Sequence, residues 1–84
     1  MKFETGRTRS MEQELRTIVA KIAETQADFS SGAHLRDELK VDSVRVMELV
    51  FEIEQTFSVK FPEERYAEVG TFDDLVKVVK SLKL

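Results

Sequence analysis

A chain of 84 residues has room for one domain with one modest core and leaves no length for a separate catalytic domain beside it. With 42% apolar and 35% charged residues it reads as a folded, soluble domain rather than a disordered chain, and no apolar run nears the roughly 20 residues that span a bilayer. The net charge of −3 is mild, and the absence of cysteine removes disulfides, thiolate metal sites and thiol nucleophiles at once, which fits a cytoplasmic location.

Residues 1–9 show no periodicity and include Thr5, Gly6 and Thr8, so they are expected to be a flexible leader, with the folded domain over 10–84. Ser10 and Gln13 have the spacing of a capping box. Met11, Leu15, Ile18, Val19 and Ile22 then recur at helical spacing, predicting a first helix over about residues 11–25. The stretch 26–34 is polar and broken by Gly32, a long loop from which Phe29, Leu35 and Leu39 are expected to reach the core. A second helix is predicted over Ser43–Phe57, with Asp42 or Ser43 as its N-cap. Pro62, Glu63 and Glu64 read as the first turn of a short third helix, ended by Gly70. Thr71 and Asp74 form a second capping-box pattern, opening a last helix with Phe72, Leu75, Val76, Val79 and Leu82 inward; its valines would also suit a strand, but the spacing favours a helix. The expected fold is therefore all-α, a four-helix bundle with a short third helix and a long loop between helices one and two.

The second helix carries two apolar faces. At about 100° per residue, Val46, Leu49, Val50, Ile53 and Phe57 share one side, while Val44, Met47 and Phe51 share nearly the opposite one. A small bundle buries only one such face well. The second stripe, flanked by Glu48, Glu54 and Gln55, either forms a docking surface with an apolar centre and a polar rim or tucks beneath the long loop. Charge points to the kind of partner. From Asp37 to Glu68 nine acidic residues face four basic ones, a local balance of −5 that excludes nucleic acid and fits a basic protein surface as well as an ordinary solvated helix face. Ser43 alone is a helix-start serine, usually a cap. A phosphodiester on its hydroxyl, however, would lie at the positive end of the helix dipole with the second stripe beginning beside it. Intrinsic catalysis is not expected: His34, the single histidine, sits in a polar loop, and no nucleophile-elbow pattern surrounds any serine. Asp37, Glu38 and Asp42 lack the spacing of a metal cage.

Over roughly residues 11–82 the sequence resembles the acyl carrier protein family. Asp42-Ser43-Val44 matches the family's aspartate, serine and leucine signature, followed by Met47-Glu48-Leu49-Val50 and Ile53-Glu54. Phe57 to Glu64 resembles the family's passage into its short third helix, and Thr71 to Leu75 its entry into the fourth. The resemblance implies a carrier, not an enzyme. Phosphopantetheine would be transferred to Ser43 by a separate magnesium-using phosphopantetheinyl transferase, with Asp42 beside it, and the arm's thiol would hold acyl groups. It further implies that Val44, Met47, Glu48, Phe51 and Glu54 meet the transferase and acyl-loading and acyl-processing enzymes through basic and apolar patches, and that the first, second and fourth helices line an acyl pocket. A cytoplasmic monomer without membrane insertion is the expectation. Val44 stands for the usual leucine, and Arg45 and Gln55 for usual carboxylates, which points to a specialised carrier of a lipid, fatty acid or polyketide pathway. The alternatives are a D-alanyl or peptidyl carrier, from which Asp42 leans away where peptidyl carriers commonly have histidine, and an unmodified helical interaction module, which would not need Ser43.

Overall fold

Ser10 begins the part of the chain that the computed structural model describes, residues 10–83; the expected leader over 1–9 lies outside the described residues. The Ser10 hydroxyl accepts the Gln13 N–H at 3.2 Å while the Gln13 side chain accepts the Ser10 N–H at 3.1 Å, so the capping box opens helix α1, Met11–Ala23. The helix ends two residues before the expected boundary. Glu24 turns into the left-handed region (φ 58°), and the N–H groups of Glu24 and Thr25 close back on the carbonyls of Lys21 and Ala20, a Schellman end built without glycine.

Helix α2, Ser43–Phe57, is capped by the Asp42 carboxylate, which accepts the Arg45 N–H at 3.0 Å. At its far end Lys83 Nζ donates to the Phe57 carbonyl at 3.2 Å. The short third element is a 3₁₀ helix, Glu63–Glu68. Pro62 stands before it as an extended N-cap rather than inside the first turn, and the element ends at Glu68, not at Gly70. Helix α3, Phe72–Lys83, follows the second capping box: Thr71 Oγ1 accepts the Asp74 N–H, and Asp74 Oδ2 accepts those of Thr71 and Gly70. The valine-rich stretch is helical, as its spacing predicts. The described chain is thus all-helical, in the order α1, α2, 3₁₀ helix, α3.

The core lies where the three α-helices meet. Leu15 and Val19 of α1, Leu49 and Ile53 of α2, and Phe72, Leu75 and Val79 of α3 are each at most 2% exposed. Burying side chains of this size contributes about 1.5–3 kcal/mol apiece, which makes them the main source of stability.

The loop from Glu24 to Asp42 is held down at several points. Leu35 and Val41 are buried, and Phe29 and Leu39 pack against the core as expected. Arg16 of α1 donates to the carbonyls of Ala27 and Phe29 and to Ser31 Oγ, with its guanidinium over the rings of Phe29 and Phe72, which meet edge to face at 5.1 Å. Further along, Leu35 N–H bonds Gly70 O and Phe72 N–H bonds Ala33 O, so the loop is buttoned to the entry of α3.

Candidate functional site

The loop's last turn delivers the chain to α2. The N–H groups of Glu38 and Leu39 bond the His34 carbonyl, Lys40 takes the left-handed conformation (φ 60°), and Val41 N–H returns to Leu35 O at 2.8 Å. This reversal folds the Arg36 side chain back towards the start of α2, where its Nη2 donates to Ser43 Oγ at 3.1 Å. Ser43 is the first residue of the helix and is exposed. The N–H groups of the first helical turn have no intrahelical acceptors, so the hydroxyl stands in the positive field of the helix end. Asp42, also exposed, is engaged as the cap.

Ser43 borders a cleft of about 580 Å³. Its walls are apolar: Leu35 and Val41 from the loop, Val46, Leu49 and Val50 from α2, Phe61, Tyr66 and Val69 around the 3₁₀ helix, and Leu75 from α3. Exposed Arg36, Asp37 and Glu63 supply polar edges. The pocket expected from the first, second and fourth helices is therefore built differently. No α1 residue lines it, because α1 spends its apolar stripe on the core, and the long loop and the 3₁₀ helix close the space instead.

The second apolar stripe of α2 is open to solvent: Val44 is 69% exposed and Met47 and Phe51 59% each. The alternative in which Met47 or Phe51 tucks beneath the loop does not hold, since both stay largely exposed while the loop buries its own Ala33, Leu35 and Val41. Glu48 is exposed beside the stripe. Glu54 is half-buried, and its Oε2 accepts the Phe61 N–H at 2.8 Å, so this carboxylate also ties α2 to the segment entering the 3₁₀ helix.

Two arginines have roles that sequence reading missed. Arg45 Nη1 donates to the Ile22 carbonyl in the last turn of α1 at 2.7 Å, and Nη2 lies 3.6 Å from Glu24, so its charge faces the negative end of α1. Arg36 lies in the loop, seven residues before Ser43, at no motif position. His34, by contrast, is exposed as expected, and its backbone N–H bonds the Glu38 carboxylate.

Compared with known proteins, residues 13–79 match the family model described as "Phosphopantetheine attachment site". The chain is also 30% identical over 71 residues, covering 84% of its own length and 83% of the relative, to a "Probable acyl carrier protein" of Caulobacter vibrioides (strain NA1000 / CB15N).

Proposed function

This chain belongs to the acyl carrier protein family, whose phosphopantetheine is covalently attached, and on that premise we propose that Ser43 Oγ is the point of attachment. One observation carries the assignment: an exposed serine hydroxyl opens α2 while bordering an apolar cleft of about 580 Å³. When bound, phosphopantetheine supplies the thiol that holds an acyl group as a thioester. The chain's own residues supply the rest. The first turn of α2 and the Arg36 guanidinium favour negative charge at Ser43 Oγ, and the cleft offers apolar walls to a cargo chain.

In this reading Val44, Met47 and Phe51, rimmed by Glu48 and Glu54, dock the transferase and the acyl-loading and acyl-processing enzymes, which act on the carrier while it performs no chemistry itself. Their exposure supports that role, as does the acidic stretch around them. Arg45, turned to α1, and Gln55 leave this face with fewer carboxylates, which supports a specialised pathway of fatty acid, lipid or polyketide type. The proposal includes a monomeric carrier working in the cytoplasm.

The test is intact mass after incubation with coenzyme A, magnesium and a promiscuous phosphopantetheinyl transferase. The parent gains one phosphopantetheine and Ser43→Ala gains none. Equal gain in both proteins moves the attachment point elsewhere, and no gain with several transferases overturns the simple reading and leaves a carrier with a dedicated transferase or the unmodified interaction module.

A further inference from the structure

Resting on the reading of Ser43 as the attachment point, we infer that Arg36 is the ionic partner of the phosphodiester formed there, holding the root of the arm at the edge of the cleft. Arg36 Nη2 lies 3.1 Å from Ser43 Oγ, the atom that becomes an ester oxygen of the phosphodiester. A guanidinium is a planar fork, so a donor on that ester oxygen leaves neighbouring N–H groups directed at the non-bridging oxygens beside it. In the unmodified chain Arg36 uses a lone pair of the hydroxyl and leaves its proton free for removal.

The other cations near the site have partners. Arg45 pairs with Glu24 and the Ile22 carbonyl, and Lys40 Nζ donates to the Asp37 carbonyl. Among the described residues Arg16, Arg45 and Arg65 each have a carboxylate in ion-pair range, whereas Arg36 has none and is bonded to Ser43 instead.

The surroundings make such a cation valuable. Asp42 precedes Ser43, and Asp37 and Glu63 line the same cleft, so a permanently charged phosphodiester enters a neighbourhood already rich in carboxylates. The helix dipole offsets part of this repulsion, but the Asp42 carboxylate already occupies the Arg45 N–H of that first turn. Arg36 and Ser43 both line the cleft, so an ion pair between them biases the first bonds of the arm towards the apolar walls rather than towards solvent. Arg36 is in this sense a positioning residue.

The experiment is a thermodynamic cycle on the whole chain. Parent, R36Q and R36K are each converted completely to the modified form, intact mass confirming one arm on each, and thermal midpoints are measured before and after modification at low salt. Modification is expected to raise the midpoint of the parent by about 2–5 °C more than that of R36Q, the scale of one solvent-exposed ion pair in a domain of this size. R36K recovers only part of the difference, because it lacks the fork, and 1 M NaCl shrinks it. The phosphorus-31 resonance of the modified parent shifts on R36Q substitution. Equal midpoint responses in parent and R36Q, with an unmoved phosphorus resonance, overturn the inference while Ser43 stands as the attachment point. A chain that takes up no arm at Ser43 overturns both readings together.

Discussion

Among the described residues three that are not glycine, Glu24, Lys40 and Ser58, hold left-handed backbone conformations, and each sits where an element must stop or the chain must reverse. Ser58, which ends α2, is exposed, so its side chain gains little packing in return for the strained φ of 55°. Ser58→Gly is expected to stabilise the fold by about 0.5–1 kcal/mol, seen as a midpoint a few degrees higher in thermal unfolding, whereas Ser58→Ala gives no gain. An unchanged midpoint for the glycine variant would show that this φ is not strained. Ser43 was legible in the sequence as the candidate attachment point because Asp42 precedes it and an amphipathic run follows. Arg36 was not, since its contact depends on how the chain reverses at Lys40, which no periodicity encodes. Arg45 was read as charge on the recognition face, but the packing of α2 beside α1 turns it to the carbonyl of Ile22.

Helix ends carry the element-level logic. Asp74, which closes the Thr71 capping box, is held below the usual carboxylate range, chiefly by the Thr71 backbone N–H, with help from Gly70 N–H, the Thr71 hydroxyl and Lys77. The folded value lies below the unfolded one, so the contribution is complete above the ordinary carboxylate range and is lost as pH falls through the lowered value. Urea midpoints followed from pH 5 to about 2 are therefore expected to fall, and less steeply in Asp74→Asn. Glu68, lowered by its hydrogen bond from Arg65, adds to the same acid limb, so the substitution flattens the fall without abolishing it. Equal slopes would exclude Asp74 as a source. Both capping boxes were readable because their bonds are local. The early end of α1 and the place of Pro62 were not, because a left-handed glutamate and an extended proline leave little trace in composition.

At the scale of the molecule, one helix divides its two faces between the core and solvent. Phe51→Ala removes exposed surface, so stability should stay within about 0.5 kcal/mol of the parent. Arm transfer to Ser43, measured as kcat/KM of the transferase, is expected to fall about tenfold, a loss of about 1.4 kcal/mol in docking. Transfer at the parental rate would remove Phe51 from the docking face. The two faces were visible in the spacing of α2 alone. A pocket was expected from the resemblance, but the walls of this cleft were hidden, because they join a loop, one side of α2, a 3₁₀ helix and Leu75 across long separations in sequence.

Ser43 and Phe51 lie on one continuous α-helix, eight residues and hence about 12 Å apart along its axis. Such a helix is a ruler with a direction marked on it. On the proposed reading, with the arm at Ser43 and Phe51 on the docking face, a partner must receive the arm about that distance from its Phe51 site, towards the helix N-terminus. Seated the other way round, the same apolar grip would carry the arm away from that point, so on this reading the polarity of α2 tells a correct docking from its reversal.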